Sequence, residues 1–373
     1  MLARTWRFVR YGILATLLVI VFFCRKSPGE GYSQSLYPTI ACLLGKISSP
    51  VPFSVDELLV VGMFLFWLSY PVVARRCRSC SWKHILRIET ESVLWIVCWF
   101  YWGWGLNYMR DDFYERMKLD RHVTESDFRD FAAAYTRSLN MSYVAPDSAM
   151  PAQDIERIIQ GRYALLPAKA GLVKPTLDMT PKYLMFNELY SKVGVLGFMG
   201  PFFAEIHLNH DLLPVQRPFT YAHELAHRLS VSSEAEANFW AYDVCTRSSD
   251  AWIRYSGYMG IFPYVRAELR HRLSVAEYRL WLGSVRSEVL DEQSAKDRHW
   301  IRHYSTWLGA LQHALYDGYL KSNKLPAGTR NYAQVIAMII CYRKAFPTSS
   351  GCPGAELHSY ARELTVMSPR RCK

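Results

Sequence analysis

Apolar residues gather in three uncharged runs near the start of the chain, Tyr11–Cys24, Leu58–Ala74 and Ser92–Met109. Beyond Arg110 they thin out into the i, i+3/i+4 spacing of amphipathic helices. Each run approaches the roughly 20 residues that carry a helix across a bilayer. Arg7 and Arg10 can snorkel to lengthen the first. The pattern therefore predicts three N-terminal transmembrane helices. The first reads as a retained anchor: Cys24 runs straight into Arg25-Lys26 with no small-x-small cleavage site, and Phe22-Phe23 spoils a lipoprotein signal. Leu36–Phe53 is apolar but carries Lys46 and three prolines, so it is expected to lie at the interface rather than to form a fourth span.

The polar remainder predicts a mainly helical domain with a small strand component. Asp120–Asn140 has the stripe of an amphipathic helix, Phe128, Phe131 and Tyr135, with Thr124 or Ser126 as its N-cap. Residues 141–180, rich in Pro, Ala and Asp, read as an irregular connector. Pro201–Asn209 alternates Phe202, Ala204, Ile206 and Leu208 with Phe203, Glu205, His207 and Asn209, the period of a strand. Residues 250–345 read as helical, ending in an apolar helix over Tyr332–Arg343 and followed by a loosely packed tail. No internal repeat interrupts this. The expected organisation is a membrane domain over 1–109 and a soluble domain over 110–373.

Charge gives the chain an orientation. The 373 residues carry a net charge of +11, and much of the excess flanks the apolar runs: Arg4, Arg7 and Arg10 before the first, then Arg75, Arg76, Arg78, Lys83 and Arg87 between the second and third. The positive-inside rule places both groups in the cytoplasm and everything after Met109 outside. With 24 Tyr and 12 Trp the composition suits membrane-interface belts. No basic run is interleaved with aromatics, so nucleic acid is not an expected partner. The nine cysteines are scattered rather than arranged as a disulfide framework. Cys77 and Cys80 form a lone CxxC, and Cys352 and Cys372 are available to pair in an oxidising compartment.

The candidate chemistry lies in His223-Glu224-Leu225-Ala226-His227. On a helix His223 and His227 stand one turn apart on one face, so both imidazoles reach one metal ion, and Glu224 sits where a carboxylate takes a proton from metal-bound water. Pro218-Phe219-Thr220 opens this helix, with Thr220 as cap and Tyr221, Leu225 and Leu229 facing the core. A third ligand comes from Glu234 or Glu236 in Glu234-Ala235-Glu236-Ala237-Asn238. Ser233 and Glu236 have the capping-box form, which gives Glu236 a structural task and favours Glu234. Asn238, one turn beyond Glu234, is placed to hydrogen-bond a ligating histidine. The turn Arg228–Ser233 is short, so the two helices must form a tight hairpin.

This arrangement resembles the Glu-zincin metallopeptidases. More narrowly, several strings resemble the bacterial membrane family known as domain of unknown function 3810. They are Pro52-Phe53-Ser54, Trp104-Gly105-Leu106-Asn107-Tyr108, Pro218-Phe219-Thr220-Tyr221-Ala222 leading into the HExxH, Glu234–Asn238 and, loosely, Arg330-Asn331-Tyr332-Ala333. The resemblance spans most of the chain. It implies a membrane-anchored, zinc-dependent peptidase of unassigned substrate, which the charge bias places on the periplasmic side of a bacterial inner membrane.

The expected reaction is hydrolysis of a peptide bond, with zinc on His223, His227 and Glu234, Glu224 as base, and a peptide or membrane-proximal protein segment as substrate. Glu205, His207 and Asn209, on the polar face of the expected strand, are candidates to line the substrate cleft. Tyr255 and Tyr258 are candidates to donate to the oxyanion. His299 and His303, also four apart, lack a carboxylate partner and read as a polar helix face. The rival expectation is a non-catalytic membrane sensor or scaffold whose zinc is structural, closed by a fourth ligand such as His207 or His210.

Overall fold

The computed structural model describes residues 2–24, 29–146, 150–176, 179–322 and 334–347, which form helices and one short antiparallel strand pair. Four helices come first: α1 (Leu2–Cys24), α2 (Tyr37–Ser48), α3 (Val55–Arg78) and α4 (Trp82–Gly103). Of these, α3 alone is long and apolar enough to cross a membrane. Its 24 residues rise about 36 Å. The Ser54 hydroxyl caps its N-terminus by accepting from the Glu57 N–H at 3.0 Å. Asp56 and Glu57 in the first turn and Arg75, Arg76 and Arg78 in the last complement the helix dipole.

The expectation of three spans is corrected here. The apolar part of α1 is only Phe8–Val21, and it contains Arg10. The first half of α4 contains Lys83, Arg87, Glu89 and Glu91. The apolar run that begins at Ser92 also leaves the helix at Gly103. Its last residues, Gly105–Met109, form a buried 3-10 turn. Trp104, Leu106, Tyr108 and Met109 there share a core with Tyr37 and Ala41 of α2 and with Met199 and Ala204. Met199 and Ala204 thus pack directly against residues that precede position 109. α2 matches its expectation as a non-spanning segment. It buries Tyr37, Ala41, Gly45 and Ser48 on one face, while Leu43 and Ile47 on the other are exposed.

Further along come α5 (Phe113–Met117), α6 (Glu125–Ser142), α7 (Ala152–Ala164) and α8 (Asn187–Lys192). The strands β1 (Gly197–Gly200) and β2 (Glu205–Leu208) follow, and then α9 (Arg217–Arg228), α10 (Glu234–Thr246) and α11 (Ala251–Arg272). The last are α12 (Val275–Ser284), α13 (Ser287–His303), α14 (Thr306–Ser322) and α15 (Val335–Ala345). α10 is the central helix. Every one of its residues is buried, so it shows no amphipathic stripe. α9, α11, α7 and α15 pack around it.

Three local expectations change. α7 replaces the irregular connector: Ile155, Ile159 and Tyr163, four residues apart, are buried along its inner face. The strand expected over Pro201–Asn209 is shorter. Residues 201–204 form a turn, with Ala204 at φ +53°, and β2 pairs antiparallel with β1 through Phe198↔His207 and Met199↔Ile206. The motif helix starts at Arg217 with Pro218 in its first turn and no side-chain cap, so Thr220 lies inside it. α6 begins as expected, with Thr124 and Asp127 forming a full capping box. Cys352, Cys372 and the Arg330–Ala333 string lie outside the described residues.

Candidate metal centre

α9 and α10 form the tight hairpin that the short turn requires. Ser230 turns the chain at φ +80°, and Arg110 holds it by donating from Nη1 to the Ser230 carbonyl at 3.0 Å and to its hydroxyl at 2.7 Å. Arg110 is itself fixed by Glu30 at 2.9 and 3.0 Å. The neighbouring Ser232 hydroxyl donates to the Asn107 carbonyl at 3.1 Å. Trp104 Nε1 donates to the carbonyl of His227 itself at 3.1 Å. The segment Trp104–Arg110 is therefore a brace for the hairpin.

This hairpin brings three donors together. His223 Nε2 lies 3.1 Å from Glu234 Oε2 and 3.1 Å from His227 Nε2, and His227 Nε2 lies 3.6 Å from Glu234 Oε2. A tetrahedral cation with bonds of 2.0–2.1 Å holds its donors roughly 3.3–3.4 Å apart, so the triangle has the right size for zinc. The far ring nitrogens are committed: His227 Nδ1 donates to the Val231 carbonyl at 2.8 Å, and His223 Nδ1 meets Asn238 Oδ1 at 3.0 Å. Both bonds turn the Nε2 lone pairs inward. The Tyr316 hydroxyl of α14 donates to Glu234 Oε1, leaving Oε2 for the cluster. Among the described residues these three make one metal-sized group, with no fourth His, Cys, Asp or Glu in it.

The electrostatics call for a positive charge at the centre. Burial opposes charge on His227, yet the Glu234 and Glu224 carboxylates raise it to about 9. Burial likewise opposes charge on Glu234, and the two imidazoles still hold its carboxyl well below the usual range. Glu224 behaves differently. Its burial dominates and raises its carboxyl, with the two histidines opposing. It accepts a hydrogen bond from the Met199 backbone, which sets it against β1. Gly197 makes room for it, since a Cβ there would stand 3.1 Å from Glu224 Oε1 and 2.8 Å from the His207 carbonyl.

The centre opens into a cleft of about 1280 Å³, lined by β1, α9, α10, Tyr264 of α11, and His313 and Tyr316 of α14. The family model described as "Protein of unknown function (DUF3810)" matches residues 32–340. The chain belongs to this family. No curated protein and no solved structure matches it. The DUF3810 match begins within the turn before α2 and ends in α15, so it takes in the Trp104–Arg110 brace as well as the metal hairpin.

His223, His227, Glu224, Glu234 and Asn238 are thus brought together as the sequence implies. Glu236 turns away, with Oε1 meeting Arg116 and accepting from Trp240 Nε1 at 2.9 Å. The expected substrate-binding trio is not at the cleft. Glu205 caps the start of α3, accepting from the Val55 and Asp56 N–H groups at 3.0 and 3.1 Å, and pairs with Lys182 at 2.8 Å. His207 is buried under the Phe198 ring, 4.3 Å centroid to centroid. Asn209 ties its own loop, donating to the Val195 carbonyl at 2.9 Å and accepting from the Asp211 N–H at 2.8 Å. The strand that lines the cleft is β1, and β2 stands behind it.

Tyr255 and Tyr258 are also placed elsewhere. The Tyr255 hydroxyl donates to Glu292, and Tyr258 packs between Tyr135 and Tyr242. The tyrosines that line the cleft include Tyr264 and Tyr316, the latter bonded to Glu234. Tyr264 stands on the same helix as the expected pair, two turns further on. Nothing in the spacing marks Tyr316. His299 Nε2 donates to the Asp211 carbonyl at 2.7 Å, in keeping with a polar helix face.

Proposed function

We propose that this protein is a membrane-anchored zinc peptidase that cuts peptide bonds on the extracytoplasmic side. The observation that carries the reading is the convergence of His223, His227 and Glu234 beside a buried Glu224 in a cleft of peptide size. Zinc, when bound, supplies a water of lowered pKa and polarises the scissile carbonyl. The chain's own residues do the rest. Glu224, its carboxyl raised by burial, takes a proton at Oε and returns it to the departing amine. The Met199 N–H and the space at Gly197 keep that carboxylate in place. β1 offers an extended edge along which a peptide can lie. Tyr264 and His313 line the same cleft and are the candidate donors to the developing oxyanion.

Anchoring is carried by α3, whose N-terminus is planted in the domain by Glu205 and whose far end bears three arginines. With the positive end inside, the domain stands outside. Beside α3, Arg10 of α1 pairs with Glu91 of α4. The rival, a closed structural site, needs a fourth ligand, and among the described residues His207 groups instead with Asp56 and Glu205.

The test is zinc content and peptide cleavage in wild type, Glu224→Gln and His227→Ala. We expect Glu224→Gln to keep zinc and lose cleavage by about 10²–10⁴-fold, and His227→Ala to lose both. Cleavage unchanged in Glu224→Gln would sink the mechanism.

A further inference from the structure

The segment between residues 182 and 192 has two faces with different tasks. On one side it is bonded to the first turn of α3. Tyr183 bridges Phe53, and the Ser54 N–H donates to the Tyr183 carbonyl at 3.1 Å. The buried Glu57 carboxylate accepts from the Met185 and Phe186 N–H groups at 2.7 and 3.2 Å. These bonds hold the segment level with the point where the apolar run of α3 begins at Leu58. Its side chains there are apolar and open: Tyr183 is 67% exposed, Met185 43%, Phe186 46% and Leu189 51%. Phe53 and Leu58, also exposed, extend the patch onto α3.

On the other side the same segment builds the cleft. Tyr190, adjacent to Leu189, lines it together with Val193–Leu196. The Tyr190 ring stacks on Phe198 of β1 at 5.0 Å. One short segment thus carries exposed apolar residues ahead of α8 and at Leu189 within it, and a wall of the cleft from Tyr190 to Leu196.

We propose that Tyr183, Met185, Phe186 and Leu189 form a docking tip that sits in the bilayer surface beside α3. The occupant is lipid, because the tip is continuous through Phe53 and Leu58 with α3, among the described residues the one helix long and apolar enough to cross a membrane. Aromatic and aliphatic side chains at that level partition into the headgroup–acyl boundary. The tip brings the cleft wall to the membrane surface, so the substrates are polypeptide segments lying on that surface, next to their own anchors. The substrate class rests on the peptidase reading above, whereas the docking does not.

The experiment uses the full chain in phosphatidylcholine–phosphatidylglycerol vesicles, with the photo-cross-linker p-benzoylphenylalanine in place of Leu189 or, as a remote control, Arg157. We expect lipid adducts at position 189 at least tenfold above those at 157. Equal yields, or adducts at 189 to a second protein chain in place of lipid, overturn the docking. Cleavage of a lipid-linked peptide and of the same peptide free in solution is then compared for wild type, Phe186→Asp and Leu189→Asp. We expect both variants to lose at least tenfold on the linked peptide and to match wild type on the free one. Equal losses on both peptides, or none on either, overturn the surface-substrate claim. Lipid adducts without cleavage of either peptide by wild type overturn the peptidase reading and still support the docking.

Discussion

Gly197 shows how much at this site depends on single atoms. An alanine there cannot keep β1 against the His207 carbonyl and Glu224 against β1 at once, because its Cβ would stand within 2.8 and 3.1 Å of them. We expect Gly197→Ala to retain the metal ligands while moving Glu224, with cleavage falling about 10²-fold at unchanged zinc content. A loss of zinc instead would place the damage at His223 or His227. The ligands were legible in the sequence because an i, i+4 pair on a helix is a local fact, and the Glu234–Asn238 pair follows by the same rule. The polar residues around them were not. Glu205, His207 and Asn209 share a strand face, but alternation tells only that two faces differ, not that both are buried. Tyr255 and Tyr258 are near the metal helices in sequence only, whereas Tyr316 reaches Glu234 from a separate helix. Trp104, Asn107 and Arg110 were likewise assigned to the third apolar run and its exit, because a hairpin brace and the end of a membrane span look alike in composition.

At the scale of elements, capping and periodicity decide what can be read. α6 was legible because Thr124 and Asp127 satisfy its first N–H groups and Phe128, Phe131 and Tyr135 repeat along one side. α7 was hidden because its own buried positions are few, and Pro and Ala on its flanks read as loop. α6 also anchors α15 through Asp127 and Lys344, 2.8 Å apart. The Lys344 ammonium and then the Thr124 N–H depress the Asp127 carboxyl to about 2. The stabilisation from a depressed carboxylate is complete above its ordinary pKa of 3.8 and disappears as pH falls through about 2. Asp127→Asn should therefore unfold more easily than wild type at pH 6, and the gap should close as the pH approaches 2. A gap that persists at pH 2 would show that the cap geometry alone, and not the charge, is responsible. Because both groups sit at the surface, the effect is a small one.

The whole molecule is organised around the joint between α3 and the domain. Glu205 is buried there with Lys182 beside it, so Glu205→Ala leaves the Lys182 ammonium only the Ser48 carbonyl and frees two N–H groups of the first turn. Loss of one partner of a buried pair costs about 3–5 kcal/mol, which denaturant unfolding in detergent should register. A cost below about 1 kcal/mol would mean that the joint is held by apolar packing. In the proposed topology the joint also sets which end of α3 faces which compartment. The domain surrounds Ser54, and Arg75, Arg76 and Arg78 lie at the opposite end, some 30 Å along a helix rising 1.5 Å per residue. Native Cys77 is exposed at that basic end, and Arg157 on α7 is exposed on the domain. If α3 crosses the bilayer with its arginines in the cytoplasm, a membrane-impermeant maleimide should reach Cys77 only in inside-out vesicles. A cysteine introduced as Arg157→Cys should react only in right-side-out ones. Reaction of both sites from one side would mean that α3 lies along the surface, and reversal of both would put the metal cleft in the cytoplasm. Either result would remove the extracytoplasmic assignment while leaving the geometry of His223, His227 and Glu234 untouched.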